Sequence, residues 1–130
     1  MPDPTVRLSF FKLNTADMDA ALKFYGEVFG FAVTQTFDEP DFLEHILALP
    51  GQEQGPNLLL VAYKDGRDVS VGKGHGPVGL VTSDIDALFA KAVSAGAVPT
   101  VPVFELGPVK VAIVLDPEGH ELELLQLPAG

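Results

Sequence analysis

The sequence contains an internal repeat. When the chain is shifted over itself by 67 positions, residues 10–20 fall on residues 77–87. Five positions then carry the same residue in both copies: Leu13/Leu80, Thr15/Thr82, Asp17/Asp84, Asp19/Asp86 and Ala20/Ala87. Self-similarity at one fixed spacing indicates two copies of one supersecondary unit. We therefore expect the two halves of the chain to fold in the same way.

Each copy begins with the pattern of a strand followed by a helix. An apolar run rich in Val, Leu and Phe suits a buried strand, and the shared Thr-x-Asp-x-Asp segment follows it. Asp and Thr oxygens accept from the free N–H groups at a helix start, and their charge favours the positive end of the helix dipole. Apolar residues then recur at helical spacing. Gly30 and Gly96 stand where a left-handed residue ends a helix.

Three further strand-like runs follow each helix. They cover residues 31–37, 42–49 and 58–63 in the first copy, and 98–103, 109–115 and 121–127 in the second. Residues 116–119, Asp-Pro-Glu-Gly, have the composition of a tight turn, because Pro presets φ at the second position and Gly suits the fourth. The sequence therefore predicts an α+β fold made of two βαβββ units.

A glycine-rich connector, residues 65–76, joins the two units, which cover about residues 5–64 and 77–128. A unit of about 65 residues buries too little apolar surface to be stable alone. We therefore expect both units to form one domain over residues 1–130. The connector is either a linker or a lid over a site.

Charge and composition narrow the classes of partner. Lys and Arg total 8 against 18 Asp and Glu, which gives a formal net charge of −10. Because nucleic acids and anionic membranes bind basic surfaces, we expect neither as a partner, and a cationic ligand is favoured. The sequence has no cysteine, no amino-terminal signal pattern and no run of about eighteen apolar residues, so we expect a cytoplasmic protein.

Two motifs resemble those of a known family. The first is residues 17–25 (DMDAALKFY) followed by Phe29-Gly30-Phe31, and the second is residues 116–124 (DPEGHELEL). Together with the tandem βαβββ order, they resemble the vicinal oxygen chelate superfamily, which includes glyoxalase I, bleomycin-resistance proteins and extradiol dioxygenases. The resemblance covers nearly the whole chain. It implies that each unit curls into half of one mixed-sheet cleft with the helices outside. It also implies that the protein is a homodimer whose copies complete or share clefts.

The resemblance also implies four metal-ligand positions on the first and last strands of the units. They fall on Phe10, Leu60, Pro77 and Glu123. A catalytic divalent ion needs about three nitrogen or oxygen ligands, and among these residue types only glutamate supplies one. We therefore expect no metal at the family position and no other cofactor. The alternative is a Zn, Ni, Fe or Mn ion on displaced ligands.

The displaced ligands would be histidines together with Glu123. His45 lies in the predicted third strand, and His75 lies two residues before Pro77. His120 follows the Asp-Pro-Glu-Gly turn, and we expect it to be exposed to solvent. No two histidines have the HxH or HxxxH spacing of a ligand pair.

Strand alternation extends the predicted cleft lining from the four family positions. The residues expected to face the cleft are Phe10, Lys12, Asn14, Leu58, Leu60, Ala62, Pro77, Gly79, Val81, Glu121, Glu123 and Leu125. A mostly apolar lining with few polar groups is typical of a small-molecule site. Glu123 either pairs with Lys12 across the cleft or, if desolvated, serves as a general base.

These features predict a protein that binds a small organic molecule, cationic or aromatic, in an apolar cleft without the family metal. One alternative is a metal-dependent lyase, isomerase or dioxygenase that uses the displaced ligands. Another is metal-free acid–base catalysis by Glu123. In a third, the cleft is filled by its own side chains, Phe10 and Leu60, and the role is structural.

Overall fold

The structure is a computed structural model that describes residues 4–128, in which two helices and eight strands occur. In chain order they are β1 (Phe10–Asn14), α1 (Met18–Phe29), β2 (Ala32–Asp38), β3 (Phe42–Ala48), β4 (Asn57–Tyr63), β5 (Val78–Val81), α2 (Ile85–Ser94), β6 (Val98–Leu106), β7 (Val109–Leu115) and β8 (Glu121–Gln126). This is the predicted βαβββ order, present twice. Within the described range, no helix is long and apolar enough to cross a membrane.

Each unit forms one four-stranded sheet, and both sheets have the same topology. The strand orders are β1-β4-β3-β2 and β5-β8-β7-β6. In each sheet the first strand of the unit runs parallel to the last, and the other pairs are antiparallel. The parallel pairing requires a long crossover, which contains the helix. The predicted α+β class is confirmed.

The helix ends use the predicted residues. The Asp17 and Asp84 side chains each accept a hydrogen bond from the backbone N–H three residues later, at 3.1 Å in both units. Gly30 ends α1 in the left-handed conformation, with φ of 86°. Gly96 follows the last residues of α2 with φ of 108°. Local chemistry therefore sets the helix boundaries in both copies.

Strand β6 is longer than predicted, since it continues to Leu106. It lies at the edge of its sheet, and its register against β7 shifts between Pro99 and Val101 and again before Phe104. Proline lacks an N–H for the ladder and is tolerated on edge strands and at bulges. The prolines of this strand therefore distort the pairing without ending it.

Both helices cover one face of a sheet. Helix α1 packs Phe24, Tyr25 and Val28 against Leu58 and Leu60 of β4. Helix α2 contributes Ile85, which packs with Ala112 and Leu124 of the second sheet. The larger apolar cluster also includes Ala92, Val114 and Leu122, so the two units meet through their helices. The sheet faces turned away from the helices are called the open faces below.

Candidate functional site

The open face of the first unit carries the predicted β1 residues. Phe10, Lys12 and Asn14 alternate along β1, away from Leu13, which packs into the helix-covered core. Lys12 and Asn14 lie beside Leu59 and Val61 of β4. Side chains that share a register position share a face of the sheet. The first-unit open face is therefore mostly apolar, with a lysine and an amide on its edge strand.

The predicted phase of β4 is wrong by one residue. Leu58, Leu60 and Ala62 lie on the opposite face, where they pack against the α1 cluster, and Leu60 is only 1% exposed. Residues 58–61 form an unbroken apolar run, so the sequence shows no alternation from which the phase could be determined. Leu59 takes the open-face position that had been assigned to Leu60. Leu60 accordingly does not fill a cleft.

The open face of the second unit is arranged as the alternation predicts. Gly79 lies beside Glu123, and Val81 lies beside Leu125. Leu122 and Leu124, on either side of Glu123, are buried in the helix-covered core, so Glu123 and Glu121 are on the open face. A Cβ placed on Gly79 would meet no atom within 4 Å, so there is free space beside Glu123. Pro77 lies just before β5 and is exposed.

The predicted Lys12–Glu123 ion pair is not present. Lys12 instead pairs with Glu44 of β3, with 2.8 Å between Nζ and Oε1. The Lys12 ammonium also lies 5.6 Å from the centre of the Phe10 ring. Glu44 is 9% exposed and is a candidate site residue that sequence reasoning missed. The alternation of side chains along β3 could have identified it, because Glu44 and His45 must lie on opposite faces of the strand.

The displaced metal ligands do not assemble with Glu123. His45 is on the helix-covered side of the first sheet, level with Leu60, and its Nδ1 lies 2.8 Å from Thr36 Oγ1. His75 is exposed in the connector, outside β5. Across residues 4–128, no group of three or more His, Asp or Glu side chains is placed to hold a metal ion. The donor set therefore does not fit the divalent ion that the family resemblance implies.

His120 is not exposed as predicted, since its side chain is only 13% accessible. Its Nδ1 lies 2.7 Å from Oδ2 of the buried Asp116, and the Tyr25 hydroxyl donates to the same oxygen at 2.6 Å. The backbone N–H groups of Glu118 and His120 donate to the other carboxylate oxygen, each at 2.9 Å. Four hydrogen bonds thus hold this carboxylate. Tyr25 and Asp116 belong to different units, and the contact links them.

These contacts shift three pKa values. Burial works to raise the pKa of Asp116, but the hydrogen bonds from His120 and Tyr25 outweigh it and hold that pKa below its usual value. The hydrogen bond to Asp116 raises the pKa of His120. Burial, reinforced by the neighbouring Asp116 charge, raises the pKa of Tyr25 well above its usual range. Tyr25 therefore remains a neutral donor.

A second set of contacts holds the same turn to the first unit. The Thr15 hydroxyl and the Ala16 N–H both donate to the Glu118 carboxylate, the latter at 2.8 Å. Thr15 also receives a hydrogen bond from the Asp17 N–H at 3.0 Å. The turn before β8 is thereby fixed to the junction between β1 and α1. These residues position the strands that carry Asn14 and Glu123.

Comparison with known proteins shows the family. Residues 7–124 match the family model of the Glyoxalase/Bleomycin resistance protein/Dioxygenase superfamily. The chain is 30% identical over 122 residues to lactoylglutathione lyase of Haemophilus influenzae, covering 88% of this chain and 87% of that protein. It is 31% identical over 122 residues to a probable lactoylglutathione lyase of Vibrio parahaemolyticus, covering 88% of this chain and 86% of the relative.

Solved structures show the same fold. Glyoxalase I from Zea mays superposes with a TM-score of 0.84 at 22% identity, covering 95% of this chain and 45% of that one. The chain thus spans about half the length of the maize protein. A glyoxylase/bleomycin resistance protein/dioxygenase domain from Frankia gives 0.76 at 20% identity, covering 97% of this chain and 100% of that one. The chain therefore belongs to the glyoxalase/bleomycin resistance protein/dioxygenase superfamily, as its two motifs indicated.

Proposed function

We propose that this protein binds a small organic molecule on its open faces and does so without the family metal ion. The residues at the family's ligand positions support this most: Phe10, Leu59 in place of Leu60, Pro77 and Glu123 offer one carboxylate. One carboxylate among apolar side chains cannot replace the hydration shell of a divalent cation. The same apolar side chains favour an organic ligand.

Exposed apolar side chains on the open faces also support the proposal. Phe10, Phe37 and Phe104 are 46%, 37% and 41% exposed, and Val81 is 63% exposed. Aromatic and aliphatic surface left in water favours association with an apolar partner or ligand. Phe10 therefore offers contact area to a ligand and does not fill the site itself.

We further propose that the protein is a homodimer in which a second copy covers the open faces. The units of one chain meet through their helices, and several apolar residues of the open faces, among them Phe10 and Val81, remain exposed. Sedimentation equilibrium should give twice the mass of one chain, and Val81→Asp should lower that mass. A monomer at all concentrations tested would contradict the dimer.

Ligand binding is tested with two neighbouring phenylalanines. Phe10 and Phe11 are each 46% exposed, but they lie on opposite faces of β1. In fluorescence titrations with planar polycyclic compounds, cationic and neutral, Phe10→Ala should weaken binding at least about tenfold, because an aromatic contact is lost. The matched Phe11→Ala variant should stay within about twofold. Equal losses in the two variants, or no binding by the native chain, would contradict the proposal.

The relatives favour a second candidate, a metal-dependent lactoylglutathione lyase, because two relatives at about 30% identity bear that name. A lactoylglutathione lyase assay with added Zn²⁺, Ni²⁺, Fe²⁺ or Mn²⁺ separates the candidates. We expect no turnover above the uncatalysed rate. Metal-dependent turnover that Glu123→Gln abolishes would favour the lyase. Turnover without metal that is lost in the same variant would favour acid–base catalysis by Glu123.

A further inference from the structure

A cavity of about 620 Å³ opens at one end of the first-unit open face, where β3 begins and β4 ends. Phe42 and Tyr63 line it as register partners, with ring centroids 6.4 Å apart at 64°. Asp41, from the turn before β3, and Asp65, from the start of the connector, complete an acidic rim. The cavity therefore combines an aromatic wall with carboxylates.

Arg67 already places a cation on this aromatic wall. Its guanidinium carbon lies 3.8 Å from the centre of the Tyr63 ring, within the range of a cation–π contact. Asp65 holds the guanidinium through Nη2 at 2.7 Å and Nε at 3.0 Å, and also accepts from the Arg67 backbone N–H. The two side chains are 50% and 53% exposed. Because solvent screens an exposed pair, a ligand cation of similar shape can compete with Arg67 for the Tyr63 ring and Asp65.

The charges around the cavity favour a cation over an anion. Lys64 is paired with Asp38, with 2.5 Å between Nζ and Oδ1. Asp41 has no ion-pair partner within the described part of the chain. The hydrogen bond to Asp65 is the main cause that raises the pKa of Arg67, and the nearby charge of Asp41 adds to it. Around the cavity, carboxylates therefore outnumber cationic side chains by three to two: Asp38, Asp41 and Asp65 against Lys64 and Arg67. A bound cation would restore the balance, whereas an anion would add to the repulsion.

We propose that this cavity binds a planar organic cation of the amidinium or guanidinium class, and that Arg67 is a tethered competitor which the ligand displaces from Tyr63. The ligand stacks on the Tyr63 ring and pairs with Asp65 and Asp41. This deepens the proposed function by naming a ligand class for one end of the first-unit open face. It depends on Tyr63 and Arg67, and not on Phe10.

Three probes of the same shape test the charge preference: benzamidinium, benzamide and benzoate. Titration of the full-length, isotope-labelled chain is followed by amide chemical shifts. We expect benzamidinium to bind most tightly and benzoate least, with the largest shifts at residues 41 and 63–67. Benzoate binding as tightly as benzamidinium would overturn the proposal.

Variants test the role of Arg67. Arg67→Ala should tighten benzamidinium binding about three- to tenfold, because it removes the competitor and leaves Asp65 unpaired. Lys73→Ala removes the same charge from an exposed connector position and should change the affinity less than about twofold. A weaker affinity in Arg67→Ala would show that Arg67 belongs to the binding site and would overturn its role as competitor.

Variants at Tyr63 test the aromatic wall. Tyr63→Phe keeps the ring and should bind benzamidinium within about twofold of the native chain, whereas Tyr63→Leu should bind about fivefold more weakly. Equal affinity in Tyr63→Leu would overturn the proposal, and the Phe variant keeps the test valid if the Leu variant fails to fold. Shifts confined to residues 10–14 and 57–61 would contradict this site while leaving the proposed function intact. Chemical-shift changes at residues 63–67 that are larger with benzamidinium than with benzoate, together with no effect of Phe10→Ala in the fluorescence titrations, would support this site and contradict the proposed function.

Discussion

Among single side chains, Asp116 is the buried carboxylate whose hydrogen bonds join the two units. Its carboxylate accepts a hydrogen bond from the Tyr25 hydroxyl of the first unit and forms another with the His120 ring of its own unit. A buried anion without donors is costly, so each of these bonds offsets part of its desolvation. Tyr25 and Asp116 lie 91 residues apart in the chain, and no local pattern links them. Sequence reasoning therefore identified the turn but not its buried partner.

Removing the Tyr25 hydroxyl should measurably destabilise the fold. Tyr25→Phe leaves the Asp116 carboxylate with one donor fewer, and we expect the free energy of unfolding to fall by about 1–3 kcal/mol. Urea unfolding followed by circular dichroism measures this. Tyr63→Phe is the control, because no hydrogen bond of the Tyr63 hydroxyl occurs in the described residues, and it should change stability by less than about 0.5 kcal/mol. Equal losses in both variants would contradict the role of Asp116.

The His120–Asp116 pair should make stability depend on pH. The pKa of His120 is raised from its ordinary value of 6.5, so its contribution is complete below that pH and is lost as the pH rises through the raised value. The pKa of Asp116 is lowered from 3.8, so its contribution is complete above that pH and is lost as the pH falls through the lowered value. The pair therefore contributes most between these two ordinary values.

Replacement of His120 tests this window. His120→Gln should reduce the free energy of unfolding most near about pH 5 and least near about pH 9, because only the protonated ring forms the ion pair. His75→Gln, at an exposed connector position, should show no such trend. Urea unfolding at several pH values gives the comparison. A loss in His120→Gln that is the same at every pH would show that the pair acts as a neutral hydrogen bond only.

Among the helices and strands, the end of α1 depends on one backbone conformation. Gly30 has φ of 86°, and its N–H donates to the Gly26 carbonyl at 3.0 Å. Gly30→Ala should lower the free energy of unfolding by about 1 kcal/mol, because a Cβ disfavours the left-handed region. Gly72→Ala, in the connector, has no positive φ and open space around it, and should be neutral or slightly stabilising. Thermal unfolding compares them, and equal effects would contradict the argument.

The sequence predicted correctly those elements that depend on interactions between residues close together in the chain. The capping aspartates, Gly30 and the turn at residues 116–119 each act within about four residues, so their chemistry can be read directly. The phase of β4 could not be read, because residues 58–61 are apolar on both faces. That single ambiguity placed Leu60 in the site and left Leu59 out. The Lys12–Glu44 pair was missed because it joins strands that only the sheet brings together.

At the scale of the whole molecule, the repeat predicted that the two halves of the chain fold alike. The structure confirms this, because both sheets have the same strand order, which the sequence analysis did not predict. The repeat does not determine how the copies meet. The helices and the Asp116 contacts bring them together, and some apolar residues of the two open faces, such as Phe10 and Val81, stay exposed. The candidate site was therefore predicted in part: its strands and most of its residues, but not its ion pair.

Metal content is the most direct test of metal-free binding by this family member. The full-length chain, purified without chelator, is equilibrated in turn with Zn²⁺, Ni²⁺, Fe²⁺ and Mn²⁺, desalted and analysed for bound metal. Because Glu123 is the one donor at the family's ligand positions, we predict less than about 0.1 ion per chain for every metal. About one ion per chain that is lost in Glu123→Gln would contradict the proposal.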